Sequence, residues 1–240
     1  MFLGVAVNSL AVLLGTAIGL LLKKGISKKV SDAVMSGVGL CVVFIGVGGL
    51  IFDNNMEAIS LAAIVSIVLG TIVGTLANID RGLNRIGEKL AACTKSTEDS
   101  GESVAAGFVN ASLLFCVGAM AIMGSLSSGL RGDHTTLYIK AILDFTSAIM
   151  FTSALGWGVA LSAIPLTIYQ GAITLGASYI APLLNEGATN ALTCTGSIII
   201  IGLAFNLIGI TKIKIANYLP AIFISPFLYY LFDYILKFVR

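Results

Sequence analysis

Apolar runs of about twenty residues follow one another along almost all of this 240-residue chain, separated by short polar or basic connectors. Each run is long enough to cross the hydrocarbon core of a bilayer. No water is available there, so every backbone N–H and C=O must be paired inside the protein, which leaves only helices or a closed barrel. Barrel strands alternate lipid-facing and lumen-facing residues. These runs are apolar throughout, so the chain is expected to be all-α and polytopic. Composition agrees: 57% of the residues are hydrophobic, 11% are charged and the mean hydropathy is +1.00. A soluble domain carries about 25% charged residues.

Eight spans are expected, at 2–22, 33–52, 58–78, 104–125, 141–159, 164–184, 191–210 and 219–238. The interval 160–163 suits either a tight hairpin or one long broken helix, so the single transmembrane domain, residues 1–240, has seven or eight crossings. The polar stretch 79–103 is too short for a core of its own. Within it Ile79, Leu83, Ile86 and Leu90 recur at helical spacing, with Arg81, Arg85 and Lys89 on another face. That pattern suits a cytoplasmic connector helix in the headgroup layer.

The basic residues set an orientation. Lys23, Lys24, Lys28, Lys29, Arg81, Arg85, Lys89, Lys95, Lys212 and Lys214 fall on one side of an eight-span chain, ten against the four of Arg131, Lys140, Lys237 and Arg240. The richer side faces the cytoplasm, which puts the N-terminus outside. The first run has its lysines behind it and none ahead, so it is expected to stay as a helix and not to be cleaved as a leader.

Several function classes lose their basis here. A net charge of +2 without a basic patch gives no footing for a nucleic-acid partner. Cys41, Cys93, Cys116 and Cys194 have no paired spacing, and His134 is the single histidine, so no metal site and no cofactor is expected. No nucleophile elbow, zinc-protease motif, phosphate loop or carboxylate pair at helical spacing within an apolar run occurs, and the chain is not expected to be an enzyme.

The residues that can carry function are intramembrane polar groups. Asp144 is the sharpest, because a carboxylate in an apolar run is costly and usually has a reason. Ser147, Ala148 and Thr152 continue a small, partly polar stripe from it, suited to lining a cavity. The alternative is an interfacial ion pair with Lys140 or Arg131, since Asp144 lies about one turn inside a helix that starts near Ala141. Thr193, Thr195 and Ser197 open the seventh run, where an unwound segment can offer hydroxyls to a solute; an ordinary first turn capped by Asn190 or Thr193 fits equally. Asn206, Gln170, Asn110 and Asn8 are intramembrane amides, each a solute contact or glue between helices. Gly15 with Gly19, and Gly70 with Gly74, form G-x-x-x-G faces for close helix packing, within a subunit or across a homodimer.

The chain also repeats itself faintly. Residues 12–21 resemble 67–76, and 170–176 is a weaker echo. The first and sixth runs would cross in opposite senses, so their matching units suggest the inverted repeats of secondary transporters.

The opening 5–19, the stretch 116–124, and Leu143 to Ser147 with Pro165 and Tyr169 to Gly171 resemble, in order and over essentially the full chain, the YdfK/YqgA group of bacterial membrane proteins. That group is a domain of unknown function. The resemblance implies a protein of the bacterial cytoplasmic membrane and supplies no substrate. The sequence therefore supports a secondary transporter of a small solute or ion, embedded in the lipid bilayer and homodimeric. The competing class is a non-transporting membrane scaffold or partner subunit of a larger complex.

Overall fold

Helices satisfy the backbone throughout the computed structural model, which describes residues 1–23, 28–50, 56–93 and 101–239 and places no strand among them. They are α1 (Leu3–Lys23), α2 (Lys28–Gly48), α3 (Met56–Leu76), α4 (Ile79–Cys93), α5 (Gly101–Val117), α6 (Ala119–Arg131), α7 (Thr135–Leu155), α8 (Ala163–Leu175), α9 (Ala177–Ile180), α10 (Glu186–Ile208) and α11 (Leu219–Val239). Tight 3-10 turns at Trp157–Ser162, Ala181–Leu183 and Ile215–Tyr218 join the later ones. Among the described residues six helices are long and apolar enough to cross a membrane, or seven when the bent pair α5–α6 counts as one span; Asp32–Gly48 is a shorter apolar helix. Their outer faces expose large apolar side chains such as Leu21, Phe44, Leu76 and Phe238, as a protein solvated by lipid must. Lys24, Lys95, Arg240 and the connector residues 94–100 lie outside the described residues.

The boundaries depart from expectation at five places. The run 104–125 is two helices, α5 and α6, bent by 58° at Gly118, whose backbone is extended there. The division expected at 160–163 falls at Gly156, whose φ of 83° a side chain would resist. Trp157–Leu175 then runs on as one span. The run 164–184 is interrupted at Gly176, leaving α9 and a 3-10 turn beyond it. Helix α10 begins at Glu186, where the Asn185 side chain accepts the Ala188 N–H at 2.8 Å. Asn190 and Thr193 are therefore not its caps, and 193–197 is regular helix instead of an unwound segment. Helix α7 starts at Thr135, held by Asp133 accepting the Thr135 N–H at 3.0 Å. That bond holds the Asp133 carboxyl below its ordinary range. Asp144 thus stands ~13 Å along the helix axis from its start instead of one turn in.

Glycines set the helix pairing. A Cβ on Gly15 would come within 2.5 Å of the Phe145 carbonyl, and one on Gly19 within 2.6 Å of Thr152. Gly4 meets Leu137 on the same seam, so α1 and α7 run parallel with their backbones nearly touching. Gly70 packs against Ala221 and Gly74 against Asn217, which makes α3 and α11 an antiparallel pair. Gly39 and Gly46 take Ile208 and Ile201 of α10, again antiparallel. Both G-x-x-x-G faces are thereby consumed inside the subunit, where packing replaces the missing hydrophobic drive.

Amphipathic α4 lies across one end of the bundle. Its Ile79 and Leu83 pack on the protein core, Gly87 sits on Ala105 and Phe108 of α5, and Ile86 remains exposed. The Asp80 N–H is capped by the Asn217 side-chain oxygen Oδ1 at 2.9 Å. The expected connector helix exists, but it docks mainly on protein, with only part of its apolar face left for lipid.

Candidate functional site

Helix α7 carries two charged side chains at i and i+4, and both are inside the bundle. Lys140 Nζ donates to Asp144 Oδ2 at 2.5 Å, with only 6% and 8% of the two side chains exposed. The pairing was one sequence reading of Asp144; its interfacial location is not what the fold gives, because the pair is buried. Removing two charges from water is costly enough that such pairs persist only with further polar partners or a task.

The partners converge from three other helices. Asn8 of α1 faces the Asp144 carboxylate and donates its Nδ2 to Gln170 Oε1 of α8 at 3.3 Å. Asn8 Oδ1 and Gln170 Nε2 are buried without a partner among the described residues. From α5, the Phe115 ring lies 5.9 Å from the Lys140 ammonium, within cation–π range. The Cys116 thiol stands within electrostatic reach of both Lys140 and Asp144, and Tyr169 within reach of Cys116.

This cluster abuts the break in the fourth span. Helix α5 ends at Val117 one residue after Cys116, and α6 begins at Ala119. The last carbonyls of a helix lack intrahelical donors and carry partial negative charge. Lys140 puts a cation at that end, beside Phe115. On another side of the break, α10 comes so close that a Cβ on Gly196 would lie 2.8 Å from the Val117 carbonyl oxygen. The arrangement sets a buried carboxylate–ammonium pair and spare amide hydrogen-bonding atoms beside a discontinuous helix.

The residues singled out by sequence divide into four groups. Asp144 and Gln170 are brought together in the cluster. Ser147 is half-buried one turn on, while Ala148 and Thr152 are closed off by Gly15 and Gly19, so the stripe expected to line a cavity is a packed seam. On α10, Thr193 and Thr195 return their hydroxyls to the carbonyls of Thr189 and Ala191, both at 2.8 Å, and Ser197 lies against Gly49. Asn110 and Asn206 stand apart, lining a cavity of about 140 Å³ with Asp80 and Asn84 near α4. Asn206 also clamps the loop after α10, through Thr211 at 2.7 Å and both backbone groups of Ile213 at 2.6 and 2.9 Å.

Lys140, weighed in sequence as an interfacial partner of Asp144 and counted with the connector charges, is the residue of this cluster whose burial that reading missed; Phe115, Cys116 and Gly118 it did not single out for a site. The spacing of Lys140 from Asp144 and the glycine inside the fourth run were the available signals. Among the described residues no three His, Cys, Asp or Glu side chains are grouped to hold a metal ion.

Comparison with known proteins gives a family and no activity. The model of the family described as "Protein of unknown function (DUF554)" matches residues 3–230. The chain is 30% identical over 223 residues to "Uncharacterized membrane protein YdfK" of Bacillus subtilis (strain 168), covering 93% of each. It is 28% identical over 227 residues to "Uncharacterized protein YqgA" of Escherichia coli (strain K12), covering 94% of this chain and 95% of that one. No solved structure matches. The chain belongs to the DUF554 family and is a multi-pass membrane protein.

Proposed function

We propose that this member of the family is a secondary transporter moving a small solute or ion across the bacterial cytoplasmic membrane. One observation carries the reading: the buried Lys140–Asp144 pair, with unpaired atoms on Asn8 and Gln170, lies at the break between α5 and α6. Ionisable groups inside a membrane mark ion and solute paths, and discontinuous helices are where transporters place their sites.

In this mechanism Lys140 holds the place of a cation on Asp144. A proton or cation arriving at the carboxylate releases the ammonium toward Phe115 and the end of α5. The solute takes the spare hydrogen bonds of Asn8 and Gln170, and α6 pivots about Gly118. The small-residue seams of α1 with α7 and of α3 with α11 support the sliding that alternating access between helix repeats requires. Asn206 is not a solute contact in this version, because its amide is spent on the loop. The chain acts without catalysis.

The fold groups Lys23, Lys29, Arg81, Arg85, Lys89, Lys212 and Lys214 at the end that holds α4, and leaves Arg131 and Lys237 at the other. That asymmetry supports the α4 end as cytoplasmic and the N-terminus as outside. A homodimer would form through faces other than the G-x-x-x-G seams.

The test is flux into proteoliposomes carrying an internal pH- or cation-sensitive dye, under imposed gradients and a panel of small solutes. Gradient-driven flux by the wild-type protein that is lost in Asp144→Asn supports transport. Undiminished coupled flux in that variant overturns the assignment of Asp144. No flux by the wild-type protein under any condition favours the membrane-scaffold reading instead.

A further inference from the structure

We infer that the α4 end of the molecule binds an anionic glycerophospholipid, in a site formed by α3, α4 and the turn Ile215–Tyr218. Two neighbouring cavities carry the inference. The first is a groove of about 600 Å³ along the outer face of α3, whose walls include the exposed Val68, Ile72 and Leu76 and the half-buried Tyr218. The second is a cleft of about 370 Å³ lined by polar residues only, from Asn78 through Arg81 and Asn84 to Lys214 and Asn217. Leu76 and Tyr218 of the groove are near neighbours in sequence of Asn78 and Asn217 of the cleft, so the two lie close together at the end of the span. An apolar channel beside a cationic polar cleft at the membrane boundary has the order of a lipid, with an acyl chain followed by a phosphate.

Charge selects the class of headgroup. Arg81 and Lys214 are exposed and make no ion pair among the described residues. The opposing charge in the cleft is Asp80, whose Oδ2 already takes the Asn84 amide at 3.3 Å. Asn84 also donates to the Asp80 carbonyl at 2.9 Å, which leaves its own oxygen to accept from a headgroup hydroxyl. Two cations against one carboxylate favour a net anionic phosphodiester over a zwitterionic one. Arg85, Lys89 and Lys212 at the same end add to the local potential. Tyr218, at the end of a span and beside the polar cleft, suits the aromatic that settles between acyl chain and headgroup. The site shares no residue with the ion-pair cluster, so it stands or falls independently of transport.

The experiment is native mass spectrometry of the full chain released from detergent, titrated with phosphatidylglycerol, with phosphatidylcholine of the same acyl chains, and with glycerol 3-phosphate alone. The wild-type protein should retain one phosphatidylglycerol in preference to phosphatidylcholine. An R81Q/K214Q variant, neutral at two exposed positions, should bind it roughly tenfold or more weakly with an unchanged melting temperature. Val68→Trp, which fills the groove, should weaken phosphatidylglycerol as well. Equal retention of the two lipids, or undiminished binding by R81Q/K214Q, overturns the site. Glycerol 3-phosphate binding as tightly as the lipid overturns the lipid assignment and makes the cleft a soluble-anion site.

Discussion

Asn8 of α1 and Gln170 of α8 meet side chain to side chain at 3.3 Å, 162 residues apart in sequence and both fully buried. Two amides facing each other can close two hydrogen bonds; this pair closes one. An acceptor on Asn8 and a donor on Gln170 have no partner among the described residues, beside the Lys140–Asp144 pair. Buried polar atoms without partners are uncommon in native proteins, and such atoms are where water, an ion or a ligand is expected. The centre of the bundle therefore holds a polar demand that its own packing does not meet.

Replacing one amide should strand the other. Asn8→Leu or Gln170→Leu alone is expected to destabilise the protein by about 0.5–2 kcal/mol, the range for interhelical hydrogen bonds and buried unsatisfied groups. The double variant should lose clearly less than the sum of the two. Thermal unfolding of all three in detergent decides it, and strictly additive losses would show that the two side chains do not act as a pair.

The ion pair separates fold from function. Lys140→Met leaves a buried carboxylate uncompensated and should cost roughly 3–5 kcal/mol, whereas K140M/D144L removes both charges and should regain most of that loss. Under the transport reading the double variant is folded and inactive. A double variant with wild-type stability that still couples flux to a gradient would reduce the pair to a packing element.

What the sequence made legible was the solvent and therefore the all-α, polytopic class, together with the glycine faces at Gly15, Gly19, Gly70 and Gly74; the number of spans was not, since six or seven stand among the described residues where eight were expected. Asp144 was legible as an anomaly, yet its depth was not. Lys140 was counted with the connector charges and the fifth run was begun at Ala141, although a helix packed on α1 can carry that lysine inside it. The break at Gly118 was invisible to hydropathy, and the glycine alone marked it. Apolar residues continue on both sides of it, and hydropathy reports burial in lipid, not the continuity of a helix. Asn206 misled in the opposite direction, since an amide near the end of an apolar run reads the same whether it meets a solute or closes a loop.

Glycines of equal appearance should respond oppositely to alanine. Gly15→Ala and Gly19→Ala force α1 away from α7, with an expected cost of about 1–3 kcal/mol each. Gly37 in the middle of α2 has nothing within 4 Å of where a Cβ would sit. Gly37→Ala should leave stability unchanged or raise it by up to about 1 kcal/mol through helix propensity. Melting temperatures of the three variants in one detergent provide the comparison, and a loss at Gly37 equal to that at Gly15 would mean its face is covered by a second subunit.

Asn206→Ala tests whether a polar residue inside the bundle serves fold or transport. Its side chain receives the Thr211 hydroxyl and the Ile213 N–H and donates to the Ile213 carbonyl, which fixes the return of the chain from α10 toward α11. Gly209, at φ 86°, turns the backbone at the same point. Loss of the clamp frees three bonds at a partly buried site, each worth about 0.5–1.5 kcal/mol net and partly replaceable by water. The expected result is a stability loss of roughly 1–3 kcal/mol with faster hydrogen exchange across 209–215. Any gradient-driven flux should keep its apparent affinity for solute, because the Asn206 amide does not reach the Asn8–Gln170 cluster. A large change in that affinity with unaltered stability would return Asn206 to the solute path and make the cavity it shares with Asn110 part of the route.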